Sequence, residues 1–209
     1  MLCDGPPPSA ALLDYWLAGA DLLVCCDAAG WPHETLPRRP DVVIGDFDTL
    51  AGRVIDGGGP TRWLREPSQD TTDAEKALRW LVAQKVAEAV LLGATGDRLD
   101  HTLFNCGLCE RFAGALRLCL TDPQHDAVRL GPGEQVAWPL PPGTLFSLLP
   151  LAGPATGVAV HNAAWSLERG IVKVGGPATI SNRVLAPPLR IAVTAGSLLV
   201  TVQRQGWPA

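Results

Sequence analysis

Apolar and polar positions divide the chain into two textures. Up to about Asp122, continuous apolar runs alternate with helical stripes. Leu22–Cys26, Val42–Ile44, Ala89–Leu92 and Leu116–Leu120 have the pattern of strands buried on both faces. Leu2 and Cys3 end a shorter strand ahead of them. Ser9–Leu17 reads as a helix with Ser9 as its N-cap. Ala74, Ala77, Leu78, Leu81 and Val82 recur at the spacing of one helical face. Strand–helix alternation of this kind predicts a parallel α/β sheet.

After Pro123 the texture changes. Gln135–Trp138, Thr144–Leu149, Gly157–Val160, Ile171–Val174, Leu189–Val193 and Ser197–Val202 are short β-prone runs separated by Gly, Pro and Asn turns. No amphipathic helix stands out among them. The expectation is an α/β domain over residues 1–122 and an antiparallel β-sandwich or barrel over 123–209. Gly57–Pro60 reads as a loop, and no internal repeat is present.

Composition narrows the function classes. The 209 residues are 47% hydrophobic and 18% charged, enough apolar material for a large core. A net charge of −4 argues against a nucleic-acid surface, which needs a basic footprint. No apolar run is long enough to span a bilayer. The first residues lack the basic start and apolar stretch of a secretory signal. The six cysteines are mostly embedded in apolar runs, as expected for reduced thiols in a cytoplasmic protein. Cys106 and Cys109 form a C-x-x-C without the second ligand pair that zinc requires. Leu99, Leu103, Cys106, Cys109 and Ala113 fall on one helical stripe, so both cysteines are expected in the core.

Chemistry concentrates in three acidic segments. Asp46 and Asp48 follow the strand at 42–44. Asp70 and Asp73 open the helix that carries Lys76. Asp97 and Asp100 follow the strand at 89–92. In a parallel sheet all strand C-termini share one edge, where ligands bind, and Asp27 joins this edge at the end of its own strand. Carboxylates gathered there repel one another without a cation. Mg²⁺ shared with a phosphate-bearing ligand is the simplest reading. Asp46 and Asp48 taken alone also fit turn formers or caps. Thr72 and Glu75 fit a capping box, which leaves Asp70, Asp73 and Lys76 unexplained. A helix start favours phosphate, and Gly93 and Gly96 can cradle its oxygens. The glycine spacing is neither a Rossmann fingerprint nor a Walker A loop. Arg98 is a fork donor for phosphate, and His101 reads as a structural partner at the helix start.

Taken in order, these segments resemble the thiamine pyrophosphokinase family. The matching runs are Asp27–Ala29, Ile44–Thr49, Gln69–Leu78, Gly96–His101 and Ile180–Asn182, and they span nearly the whole chain. The resemblance implies transfer of the pyrophosphoryl group of ATP to the hydroxyethyl arm of thiamine, giving AMP and thiamine diphosphate. It implies an α/β domain followed by a β-sandwich. It also implies a homodimer whose thiamine site lies where the α/β domain of one chain meets the sandwich of the other. The Mg²⁺ ligands it suggests are Asp46, Asp48 and Asp70. ATP contacts would come from Asp27, Gln69, Thr71, Lys76, Gly93, Gly96, Arg98 and His101. Asp48, Asp73 and Asp100 are the catalytic carboxylates, one of which accepts the proton of the thiamine hydroxyl. Ser181 and Asn182 would contact the pyrimidine, and Trp165 is the candidate aromatic for the thiamine rings.

The chain departs from the family at two places. Asp97 stands where a second glycine is usual, and Gly30–Trp31 follows the Asp27 motif instead of an Asn-containing run. Three other readings compete. One is a pyrophosphokinase acting on another alcohol, such as a hydroxymethylpterin. The second is a haloacid-dehalogenase phosphatase, which needs Thr two residues beyond its second Asp, where this chain has Leu50. The third is a non-catalytic sensor, which has no reason to keep every carboxylate.

Overall fold

A computed structural model describes residues 1–50 and 59–204, so Gly57 and Gly58 of the expected loop lie outside the described residues. Contacts divide the chain into two units. Among the described residues, one holds Met1–Leu108 and Gly114–Pro123, and the other holds Cys109–Ala113 and residues 124–204.

The first unit is built on parallel strands: β1 (Val24–Cys26), β2 (Val42–Gly45), β3 (Arg62–Arg65), β4 (Glu88–Leu92) and β5 (Arg117–Thr121). β2 pairs with both β1 and β3, and β4 pairs with β5. Leu2 joins the two groups by bridging Cys25 and Leu92 in parallel. The order is therefore β3-β2-β1-Leu2-β4-β5. β1 and β2 are buried throughout, as their continuous apolar runs predict. β3 was not expected. Its sequence, Arg-Trp-Leu-Arg, is short and has exposed arginines at both ends, which suits an edge strand.

Helix α1 (Ala10–Leu17) starts as its cap predicts, with Ser9 Oγ accepting from the Leu12 N–H at 3.3 Å. Helix α2 (Asp73–Ala83) is capped by Thr72, whose Oγ1 accepts from the Glu75 N–H at 3.2 Å. Its buried face carries Ala74, Ala77, Leu78 and Leu81. Glu75 is itself buried and pairs with Arg79, one turn along.

Helix α3 (Leu99–Arg111) overturns part of the expected stripe. Leu99 is 73% exposed and Leu103 63%, while Asn105, Leu108 and Cys109 are buried. Cys106 is only half-buried. The buried Asn105 amide is hydrogen-bonded to the Ala94 carbonyl at 2.8 Å, which turns that side inward and leaves an apolar side facing out. No cysteine forms a disulfide.

The second unit contains two antiparallel sheets. One has the order β10 (Leu167–Val172), β9 (Ala155–His161), β12 (Leu189–Ala192), β7 (Gln135–Trp138). In the other, β13 (Leu198–Gln203) lies between β8 (Leu145–Pro150) and β6 (His125–Leu130), and β11 (Asn182–Arg183) extends β8. Alternate residues point inward. Phe146, Leu148, Leu198 and Val200 from one sheet and Val158, Val160, Leu189 and Ile191 from the other form one core cluster. This is a sandwich.

Candidate active site

Carboxylates gather where β1 and β2 end. Asp27 follows β1 in left-handed backbone (φ 44°), with its N–H on the Ile44 carbonyl at 2.8 Å. Gly45 permits the approach of the two strand ends, because a Cβ there would lie 2.9 Å from the Asp27 Cα and Cβ. Phe47 is also left-handed (φ 63°) and donates its N–H to Asp27 Oδ1 at 3.0 Å. The Asp48 N–H donates to Asp46 Oδ1 at 3.2 Å. Oxygens of Asp27, Asp46 and Asp48 all lie within 4.8 Å of one another.

That donor set fits Mg²⁺. All three ligands are oxygens, and an octahedral ion with bonds of about 2.1 Å spaces its ligand atoms over a similar range. Asp27 is 3% exposed, so its negative charge in particular calls for a counter-charge. The pKa of Asp46 is held below the usual carboxylate value, first by the Asp48 N–H and then by Gln69. Gln69 Nε2 donates to Asp46 Oδ2 at 2.6 Å. Asp70, expected as a metal ligand, is not part of this trio. It is exposed, and its N–H donates to Ser68 Oγ at 3.3 Å. Asp27, expected as an ATP contact, occupies the third position.

At the same strand-end edge, where Cys26 precedes Asp27, is a cavity of about 240 Å³ whose lining includes none of the three carboxylates. Asp4, Asp73, Gly93, Gly96, Arg98 and His101 contribute to its lining. Burial pushes the Asp73 pKa up against the pull of Lys76, and the charges of Asp27 and Asp46 add to the rise. Lys76 is not a solvated cation. Its side chain is 4% exposed and its Nζ donates to Asp73 Oδ1 at 2.8 Å. Arg98 forks onto Asp100 through Nε at 3.1 Å and Nη2 at 2.6 Å, and these bonds hold the Asp100 pKa down to about 2. Both side chains of that pair are exposed. Thr71 is half-buried in the turn before α2.

The glycine loop has a packing role as well as an open face. Gly93 is left-handed (φ 67°), and a Cβ there would meet the Cys3 carbonyl oxygen at 2.6 Å. Asp97 has φ 41°, the backbone that glycine at this position suits best. Thr102 Oγ1 donates to the Gly96 and Arg98 carbonyls, and Asn105 holds Ala94.

Asp4 and Asn105 are pocket residues that escaped the sequence reading. Asp4 follows the Leu2 bridge at the same sheet edge, so the strand-end rule applied to Leu2–Cys3 would have found it. Burial, then the charges of Asp27 and Asp73, push its pKa up. Asn105 lay within the third acidic segment but had no assigned role, because a polar residue on a helix carries no local sign that its amide faces inward.

The sandwich holds the other expected residues. Ser181 is exposed and left-handed (φ 57°), with its N–H on Ser147 Oγ at 3.0 Å. Asn182 is buried, and its amide is engaged by backbone. Oδ1 accepts from the Trp165 and Arg183 N–H groups at 3.1 and 2.8 Å, and Nδ2 donates to the Trp165 carbonyl at 2.8 Å. The Trp165 ring is left outward, the residue being 64% exposed.

Comparison with known proteins points to one family. The family model "Thiamin pyrophosphokinase, catalytic domain" matches residues 13–119. Thiamine pyrophosphokinase 1 of Oryza sativa subsp. japonica is 24% identical over 169 residues, covering 73% of this chain and 62% of the rice protein. The chain thus spans less than two thirds of that relative's length. Thiamin pyrophosphokinase 1 of Caenorhabditis elegans is 22% identical over 192 residues, covering 85% of this chain and 78% of the worm protein. The crystal structure of thiamine pyrophosphokinase from Bacillus subtilis superposes with a TM-score of 0.82 at 19% identity, covering 98% of this chain and 97% of that one. The Candida albicans enzyme gives a TM-score of 0.84 at 14% identity, covering 98% and 88%. These structures share the fold, and the family model takes in the segment that carries Asp27, Asp46, Asp48, Asp73 and Arg98. This chain belongs to the thiamin pyrophosphokinase family.

Proposed function

We propose that the protein transfers the pyrophosphoryl group of ATP to the hydroxyethyl group of thiamine, releasing AMP and thiamine diphosphate. The observation that carries this reading is the Asp27–Asp46–Asp48 trio, at the strand-end edge that also holds the pocket and inside the segment matched by the family model. Similarity to thiamine pyrophosphokinases at 22–24% identity supports thiamine as the acceptor.

Asp27, Asp46 and Asp48 would hold Mg²⁺, and Asp70, next to the Gln69 that bonds Asp46, extends the ligand set. The ion, when bound, would neutralise charge on the transferring phosphates. Gly93, Gly96 and the start of α2 offer backbone N–H groups to the triphosphate. Arg98 can swing from Asp100 to phosphate, since that pair is exposed and weakly held. In the reaction the thiamine hydroxyl oxygen bonds to the β-phosphorus of ATP. The bond from that phosphorus to the α–β bridging oxygen breaks, and AMP leaves with the electron pair. The hydroxyl proton passes to a carboxylate. Of the three candidates, Asp73 fits best. Its raised pKa makes it the stronger base, whereas Asp100 is held near 2 by Arg98.

Trp165 is the proposed stacking surface for the thiamine rings, with the Ser181 hydroxyl near the pyrimidine. We also propose a homodimer with composite sites. Outward apolar side chains support it, with Leu99, Leu103 and Phe104 on α3 and Trp165, Ile171 and Ile180 on the sandwich. Six cysteines without a disulfide support a reducing compartment, the cytoplasm. No helix among the described residues is long and apolar enough to cross a membrane.

The test is to incubate the purified protein with ATP, Mg²⁺ and thiamine and identify the products by mass. AMP and thiamine diphosphate are expected in equal amounts. ADP with thiamine monophosphate would make the protein a simple kinase. Turnover of a hydroxymethylpterin without turnover of thiamine would give it a different acceptor, and binding without turnover would make it a sensor.

A further inference from the structure

The carboxylate trio is assembled from two separate turns, and the chain has built an aromatic cluster behind both. The Phe47 ring packs edge-on against Trp63, with centroids 5.6 Å apart. Trp63 in turn stacks on His33 at 5.6 Å and 29° between planes. Trp31 closes the group, 6.3 Å from Trp63 and 5.1 Å from His33. His33 Nε2 donates to the Ala29 carbonyl at 3.2 Å, which ties the turn after Asp27 to the cluster. Phe47 ties the other turn. It lies between Asp46 and Asp48, and its N–H holds Asp27 Oδ1. Both Asp27 and Phe47 have left-handed backbone, which a residue with a β-carbon keeps only where its surroundings hold it there.

We propose that Trp63 is a positioning residue for the metal site. It clamps the Phe47 ring and so fixes Asp27 against Asp46 and Asp48. His33 supports it by holding the turn that carries Asp27. This rests on the metal reading of the trio given above. Trp63 acts through the faces of its ring, because its indole N–H is buried without a hydrogen-bond partner among the described residues. A phenyl ring should therefore replace it, and an aliphatic side chain should not.

The experiment measures Mn²⁺ binding by titration calorimetry on the full chain without nucleotide, with thermal unfolding recorded alongside. Trp63→Leu should weaken Mn²⁺ binding roughly 10- to 100-fold, the usual effect of removing support behind metal ligands. Trp63→Phe should recover most of that loss. Leu118→Ala, at a buried position of β5, should lower the unfolding temperature and leave Mn²⁺ affinity unchanged. A folded Trp63→Leu variant with wild-type affinity overturns the inference, and so does a Trp63→Phe variant no better than Trp63→Leu. If Trp63→Leu does not fold, Phe47→Leu removes the same contact from its other side, and wild-type affinity there overturns it equally. Wild-type protein that binds no Mn²⁺ would instead sink the metal reading, and this inference with it.

Discussion

Asp46 and Asp73 belong to one site and are pushed in opposite directions. Backbone and Gln69 donors stabilise the charged form of Asp46, while burial favours the neutral form of Asp73. On acidification, Asp4 and Asp73 should take up protons above the ordinary value of 3.8, Asp46 below it, and Asp100 only near 2. Carbon-13 carboxyl titration of the ligand-free protein checks that order. The signs for stability differ accordingly. The Arg98–Asp100 contact helps the fold above 3.8 and is lost as pH falls through about 2. Asp4 and Asp73 favour the fold most below 3.8 and cease to do so as pH rises through their higher values. For catalysis, Asp27→Asn, Asp46→Asn, Asp48→Asn and Asp70→Asn should each leave the fold intact and lower kcat about 10²- to 10³-fold. Near-normal turnover across a Mg²⁺ titration would return that residue to a structural role. Asp4 apart, the motifs made these side chains visible in the sequence, but not the direction of each pKa. Burial and donor geometry set that direction; burial depends on the folded chain, and some donors lie far away in sequence, such as Gln69 for Asp46.

At the scale of elements, the strand ends decide the site, and Gly45 decides how close two of them come. Gly45→Ala would press a methyl group into Asp27 and push the β1 and β2 turns apart. We expect a stability loss of about 1–3 kcal/mol, as for other overpacked sites, together with weaker Mn²⁺ binding. Denaturant unfolding and the same calorimetry measure both. The long apolar strands and α2 were legible because burial on both faces, or on one helical face, leaves a strong periodic mark. β3 and β6 were not, since Arg62–Arg65 and His125–Leu130 mix charged and apolar residues along their length. α3 misled for another reason. Leu99 and Leu103 look outward while Asn105 turns in, so periodicity identified the helix and placed Cys109 in the core but turned the first half of the stripe the wrong way. Asn182 was found by its motif, but only the folded chain reveals that its amide is occupied by the Trp165 backbone.

For the whole molecule, the proposed reaction divides its residues between two units of the chain, and the proposed dimer reunites them across two copies. A mixed dimer tests this. Asp48→Asn and Trp165→Ala should each be inactive alone. Co-expressed with different tags, they should form dimers in which one composite site carries both lesions and the other none. Equal mixing then restores roughly a quarter of wild-type activity, since half the dimers are mixed and each has one intact site. Purified mixed dimers as inactive as their parents would refute the shared site. A different consequence follows from Leu2, which links the β1–β3 group to the β4–β5 group. Its two partners lie at Cys25 and Leu92, so Leu2 cannot complete its pairing until the chain has grown past the fourth strand. Closing such long parallel connections is slow. If Leu2 docks only after both groups have formed, its contacts are missing from the folding transition state. Leu2→Ala should then speed unfolding and leave the folding rate nearly unchanged, and a chevron plot of the two rates measures the difference. In a growing chain, this central link of the sheet has to wait for residues some ninety positions further on.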